Sequence, residues 1–427
     1  MKVLIVSYNP LTLYNNGGKY MLSLFSEFKE KEMCQLYVHD VLPDQMRCHS
    51  YYRITDKDVM NAFFGKSGQH ELRRGEIGTF LSESRKAVIG EGANRYAKLM
   101  VRDFLWRISP WRADVYRWIE REHPDCIFAD TGDSCFLYSI SMGIAKKYGI
   151  PMIASFGDDY YGIDLTGASL IKKIQISCLR SKIKKFVNKC DKVITINDLF
   201  SQYYSDTFHI PLGDKVITLA NGSNYNFDTS KEKIEDPTSL KFSYLGNLSL
   251  GRWQNLLEIG RALDDINQRY HSTHCLQVYA KNYMSFDEKS REIASIRYMG
   301  FVGGDDFTSA IMHSDILIHT ESFLPEYIEQ TRLSLSTKIA DSVNAGKCIL
   351  AYGPADIASM HHLQENKCAH VVTEPDKLEY ELEVLLANQL MRRMYIVQAT
   401  HCAQRYHNSR KNSQRLRSVL KMLLKIE

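Results

Sequence analysis

The stretch RLSLSTKIADSVNAGKCILAYG, residues 332–353, gathers groups suited to holding a phosphate. Ser334, Ser336 and Thr337 are good helix N-cap types, and Lys338 follows at once. Hydroxyls, backbone N–H groups and a cation therefore share the positive end of one helix dipole. Arg332 just upstream adds a fork-shaped donor, and Asp341 one turn further on is a carboxylate able to accept from ribose or sugar hydroxyls. In a purely structural reading Asp341 is only a favourable charge in a first helical turn. Glu321 directly follows an apolar strand at 316–319, where it would meet a sugar hydroxyl or pair with Arg332.

Two further loops carry similar chemistry. In YLGNLSLGR, residues 244–252, Gly246 and Gly251 free the backbone around Asn247, and Arg252 could bridge two adjacent phosphate groups. After the first strand, Asn16, Gly17 and Gly18 let backbone N–H groups approach a ligand where a helix starts, although they are not a GxGxxG pattern. The pair Asp158 and Asp159 in SFGDDYYGID reads either as a helix cap or as a carboxylate site for Mg2+ or Mn2+.

These loops need rigid elements behind them, and the hydrophobic pattern supplies strands at 2–7, 34–39, 126–129, 151–155, 192–196 and 215–219, alternating with helices. Region 40–92 reads as loops and short helices, and 93–122 as helix. After a polar, proline-bearing segment the alternation restarts, with strands at 241–244, 275–279, 316–319 and 348–351, and ends in an almost continuous helical stretch at 378–424. Such alternation predicts an α/β chain with two doubly wound parallel sheets. The expected division is an N-terminal domain over 1–228, a linker at 229–240, a second domain over 241–395 and a helical tail at 396–427 that packs back on the first domain.

Bulk properties narrow the class. With 427 residues, 44% hydrophobic and 24% charged, the chain has ample core and no apolar run of the roughly 18 residues a membrane span needs. The first ten residues read as a strand, not a signal peptide. A net charge of +4 is too small to imply nucleic acid. The ten cysteines are scattered without a CxxC pair, which points to a reducing compartment and against structural zinc. The segment 170–190 interleaves seven Lys and Arg, from Lys172 to Lys189, with Leu170, Ile171, Ile174, Ile176, Leu179, Ile183 and Phe186. It reads as a core-facing helix with a basic outer face, or as a surface for an anionic membrane; Trp106, Trp111 and Trp118 could join that surface or simply fill the core.

The C-terminal half resembles retaining GT-B glycosyltransferases, especially family-4-like enzymes of bacterial surface-polysaccharide assembly. YLGNLSLGR resembles the loop whose Arg, here Arg252, contacts the donor diphosphate. ESF resembles the first acid of the family's Glu-x7-Glu element, here Glu321, and STKIADSVNAGKCILAYGP resembles the helix bearing a Lys, here Lys338, and a ribose-binding acid, here Asp341. The two acids stand further apart than usual, and Asp replaces Glu. The Lys commonly found after the diphosphate Arg is absent, as is the His that many relatives carry after the strand at 151–155.

The resemblance implies a GT-B fold, two Rossmann-like domains facing a cleft, and transfer of a hexose-type sugar to a glycan or lipid-linked acceptor in polysaccharide assembly. Catalysis would fall to Arg252, Lys338 and Glu321, and the donor to Gly246, Asn247, Arg332, Ser336, Thr337 and Asp341. The acceptor would fall to Asn16, Gly17, Gly18, Asp158 and Asp159. No cofactor and no metal are expected, since arginine, lysine and helix terminus can neutralise a leaving diphosphate; location would be cytoplasmic, with or without contact at the inner membrane face. A sugar-nucleotide epimerase or hydrolase, or a non-catalytic sugar-nucleotide-binding subunit, would fit the same fold.

Overall fold

The structure is a computed structural model describing residues 1–13, 15–65, 71–72, 75–78, 94–229, 235–281 and 283–426. The chain divides into two compact units, Met1–Ala220 with Arg410–Glu427, and Asn221–Ser409.

Among the described residues the first unit holds seven strands: β1 (Val3–Ser7), β2 (Met33–Tyr37), β3 (Ser50–Arg53), β4 (Cys126–Asp130), β5 (Met152–Phe156), β6 (Lys192–Thr195) and β7 (Val216–Thr218). They pair in the order β3-β2-β1-β4-β5-β6-β7, parallel throughout. The second unit holds β8 (Lys241–Leu245), β9 (Cys275–Tyr279), β10 (Ile296–Tyr298), β11 (Ile316–Thr320), β12 (Cys348–Tyr352) and β13 (His370–Val372). Their order is β10-β9-β8-β11-β12-β13, again all parallel. Central strands such as VLIVS and CILAY are buried along their whole length, as parallel strands covered by helices on both faces must be. In both sheets the winding reverses once, between β1 and β4 and between β8 and β11. The carboxyl ends flanking those two gaps are where such sheets bind ligands.

The structure departs from the expected organisation at several places. Region 40–92 contributes an edge strand, β3, and the helix Asp56–Ala62; its part at 79–92 lies outside the described residues, as does Ala93. The helical stretch that follows is two helices, Asn94–Ile108 and Arg112–Glu122, interrupted around Pro110. Residues 230–234 of the expected linker lie outside the described residues, but Glu235 is no free linker residue. Its carboxylate binds the guanidinium of the buried Arg392 at 2.6 Å and 3.2 Å. The helical tail breaks at Asn388 and again after Tyr406, into Leu378–Ala387, Gln389–Tyr406 and Ser409–Leu424. Only the last belongs to the first unit, where Arg417 clamps both oxygens of Glu32 at 2.7 Å and 2.9 Å and Leu416 and Leu420 are buried.

Of the two readings of the tryptophans, filling the core is the one the structure bears out. Trp106, Trp111 and Trp118 are buried, and their indole N–H groups donate to Asp56, the Trp106 carbonyl and Ser50. A buried indole must find an acceptor, and each does.

Candidate active site

At the winding reversal of the second unit, two strand ends and two helix starts converge. After β8 the chain passes Gly246 and reaches Leu250 and Gly251, both left-handed with φ of 57° and 70°, before the helix Arg252–Tyr270 begins. A leucine held there costs roughly 1–2 kcal/mol, so the loop stores strain in order to aim Arg252. Gly251 has no alternative. A Cβ at that position would lie 2.4 Å from the Ser322 hydroxyl and 2.9 Å from Tyr327.

Arg252 is the first residue of its helix, and it meets Glu321, the first residue after β11. Its Nε and Nη2 donate to the same carboxylate oxygen at 3.1 Å and 2.8 Å, with only 13% and 4% of the two side chains exposed. The Glu321 backbone is fixed from behind. Asn255, one turn along the helix, donates to the Glu321 carbonyl at 2.8 Å and to the Thr320 hydroxyl at 2.9 Å, and that hydroxyl donates to the Tyr352 carbonyl at 2.7 Å. Gly353 closes the clamp, since a Cβ there would lie 2.7 Å from the Glu321 carbonyl oxygen. The Glu321–Arg332 pairing suggested by sequence is not what forms. Arg332 ends the helix Pro325–Thr331, with its guanidinium 3.9 Å from Glu329.

Lys338 reaches the same place from the helix Thr337–Asn344. Its ammonium donates to the Tyr244 hydroxyl at 2.9 Å and stands 4.4 Å from that ring's centre. The side chain lies across Gly246, where a Cβ would come within 2.5 Å of Nζ and 2.8 Å of Cδ. Gly246 is thus the space Lys338 occupies. Within reach of both charges is His319, buried on β11, with Nε2 3.1 Å from the Ser359 hydroxyl and 3.6 Å from Glu321. Burial first, then the Lys338 and Arg252 charges, hold this imidazole well below its ordinary value, so it is neutral at pH 7. Sequence reading passed over His319, Tyr244 and Asn255. Asn255 alone carried a signal, one helical turn beyond Arg252.

The rest of the donor-side set surrounds this centre. Ser336 is the N-cap of Thr337–Asn344, with a side chain that makes no capping hydrogen bond, and Asn247 is exposed and turns its own loop by accepting from the Ser249 N–H at 2.8 Å. Gly346 takes the left-handed position past the helix end, as its spacing predicts. Asp341 is buried and accepts from the Ser223 hydroxyl at 2.8 Å.

In the first unit, Asn15 caps the helix Asn16–Leu24, its side chain accepting from the Gly18 N–H at 2.8 Å. Gly18 serves packing, because a Cβ there would lie 2.5 Å from the Thr12 carbonyl oxygen. Asp159 turns its own loop by accepting from the N–H groups of Tyr161 and Gly162 at 2.9 Å and 3.0 Å. Asn16 is exposed, and Gly17 faces Asp130, whose Oδ2 lies 3.9 Å from a Cβ built on the glycine.

In this unit Asp130 is a further residue that sequence reading missed. It ends β4 beside β1, at the winding reversal, and only the strand order reveals that position. Burial first, and the Asp158 charge second, push its carboxyl up from an ordinary 3.8 to about 7. A raised carboxyl keeps its proton in the folded chain after the unfolded chain has lost it, so stability falls as pH rises from 3.8 to about 7. Asp130→Asn should remove that slope. Denaturant midpoints of variant and wild type should coincide near the acid end, and the variant should be more stable by on the order of 4 kcal/mol above the window. A difference that does not change with pH would dismiss the assignment.

No protein-family model matches the chain, and no curated protein matches it in sequence. Solved structures match it along its length. Anabaena HepE in complex with UDP and glucose superposes with a TM-score of 0.64 at 13% identity, covering 99% of each chain. Sucrose-phosphate synthase from Thermosynechococcus elongatus gives 0.61 at 10% identity, over 99% of each chain. An alpha,alpha-trehalose 6-phosphate synthase from Burkholderia multivorans gives 0.59 at 11%, over 99% of this chain and 97% of that one. The chain has the GT-B fold.

Proposed function

We propose that this protein is a glycosyltransferase that moves a sugar from a nucleoside diphosphate donor to a glycan or lipid-linked acceptor in polysaccharide assembly, with retention at the anomeric carbon. The observation that carries the reading is the convergence of Lys338 and Arg252 on one neutral histidine at the carboxyl ends of β8 and β11. Two cations held by fixed partners are prepared for a charge that grows as the diphosphate departs. Glu321 orients Arg252. The helix start at Ser336 and Thr337, with Asn247 and Arg332, would bind the diphosphate, and Asp341 would take the ribose hydroxyls. Neutralisation by these groups makes added Mg2+ or Mn2+ unnecessary for the transfer step.

Acceptor binding would fall to Asn16, Gly17, Asp158 and Asp159, with Asp130 added to them. Beyond that face, the helices Leu170–Lys189 and Asn94–Ile108 pack together and leave Leu170, Ile171, Ile174, Val101 and Phe104 exposed near Lys98, Lys172 and Lys173. Exposed apolar groups among lysines suit an anionic lipid surface, each lysine adding about 1 kcal/mol. Among the described residues no helix is long and apolar enough to cross a membrane.

The test is a panel of sugar nucleotides, UDP-sugars first because several solved structural neighbours carry UDP, each with and without membrane-extracted acceptor in phosphatidylserine vesicles. Donor consumption that requires acceptor, unchanged by Mg2+ or Mn2+, is expected. Consumption without acceptor would indicate an epimerase or hydrolase instead, and absence of nucleotide binding would end the proposal. In the same samples Leu170→Glu with Ile174→Glu should reduce vesicle co-sedimentation, and equal sedimentation would remove the lipid-facing role.

A further inference from the structure

Apart from the candidate active site, the second unit brings together three side chains of metal-ligand type. His362 lies on the helix Ala358–Glu365, Cys402 on Gln389–Tyr406, and His407 is the C-cap of that second helix. Their ligand atoms all fall within 4.8 Å of one another. Nε2 of His362 is 2.9 Å from Nε2 of His407 and 3.4 Å from Sγ of Cys402. Tetrahedral zinc, with bonds of about 2.05 Å to nitrogen and about 2.3 Å to sulfur, sets its ligand atoms about 3.3 Å and about 3.6 Å apart. The two contacts of His362 need to open by only a few tenths of an ångström, and the remaining Cys402–His407 pair already lies within the 4.8 Å that spans the trio.

The surroundings select the right atoms. Nδ1 of His407 lies 2.6 Å from the Asn221 carbonyl oxygen, a contact that only an N–H can make, so the lone pair of that ring is on Nε2 and points at His362. A carbonyl that fixes the tautomer and aim of a ligating histidine is the usual outer support of a metal site. Cys402 and His407 are buried while His362 is partly exposed, which gives an ion an entry side and leaves room for water in a fourth position. We infer that His362, Cys402 and His407 bind one thiophilic divalent cation, zinc foremost, outside the donor site.

Such an ion would brace the helix that carries Lys338 and Asp341. The His407 carbonyl accepts from the Ser223 N–H and from Nδ2 of Asn344, each at 3.3 Å, and Asn344 is the last residue of that helix. Ser223 is also the hydroxyl donor to Asp341. The site has no CxxC signature, because 40 residues separate His362 from Cys402 and only the fold brings them together.

The full chain, stripped with chelator and dialysed, is titrated with Co2+. One equivalent should bind, giving a thiolate-to-cobalt charge-transfer band that Zn2+ abolishes, and Zn2+ should raise the unfolding temperature. Cys402→Ser should lose the charge-transfer band. His362→Ala, on the exposed rim where folding is least at risk, should weaken cobalt binding at least about tenfold. Absence of the band in the wild type, or equal cobalt binding by wild type and both variants, overturns the proposal. A Zn2+-independent unfolding temperature in a chain that does bind cobalt would overturn the bracing role.

Discussion

Lys338→Ala is expected to lower kcat for sugar transfer by roughly 10²–10³-fold, the usual cost of removing one preorganised group that meets transition-state charge, with the fold intact. The side chain reaches Tyr244 across a glycine and contributes nothing to the apolar core of the second unit. Tyr244 keeps its hydrogen bond to the Asn247 carbonyl without it. Stability should therefore change little, whereas the charge facing the departing diphosphate falls by one. Lys338→Arg should not restore the rate, because a planar guanidinium does not fit the space that Gly246 leaves for a slender ammonium stem. The measurement is kcat and KM on the donor that the panel identifies, beside a thermal melt. Wild-type turnover in Lys338→Ala would remove Lys338 from the catalytic set.

What the sequence disclosed and what it concealed divide by range. The strand at 316–319, the helix start at Ser336 and Thr337 and the left-handed Gly346 were legible because each rests on a few consecutive residues: an apolar run, capping types, a glycine. The two alternating halves were legible for the same reason, since periodicity is local. Pairings were not. Arg252 and Glu321 are 69 positions apart, Ser223 and Asp341 118, and Arg392 and Glu235 157. Nothing local signals any of them. Asp130 looked like any acid ending a strand until the order of β1 and β4 placed it at the reversal. The short strands β10 and β13 at the sheet edges were also missed: an Arg interrupts IRY and a His begins HVV, whereas the equally short β7, VIT, runs on into an apolar Leu-Ala. Burial of the tryptophans likewise depends on what covers them, which their own spacing does not specify.

The Arg252–Glu321 pair separates a structural role from a chemical one, and a double-mutant cycle reads both. Glu321→Ala removes the carboxylate that receives two N–H groups of a largely buried guanidinium, and taking that partner away should cost about 3 kcal/mol of stability. Arg252→Ala should destabilise by a comparable amount, since Glu321 then keeps only the neutral His319 at 3.6 Å. Arg252→Met with Glu321→Leu replaces both charges by apolar groups of similar bulk and should lie near wild-type stability, because desolvating the pair offsets most of its attraction. All three proteins should lack transfer activity, including the stable one. That combination follows if Glu321 serves by aiming Arg252 and Arg252 serves by meeting the diphosphate. Chemical denaturation and donor turnover measured on the same preparations supply the four corners. Retained turnover in the stable apolar pair would move the chemistry away from Arg252. A pair variant as unstable as either single one would show that these side chains hold the loop through contacts other than their charge.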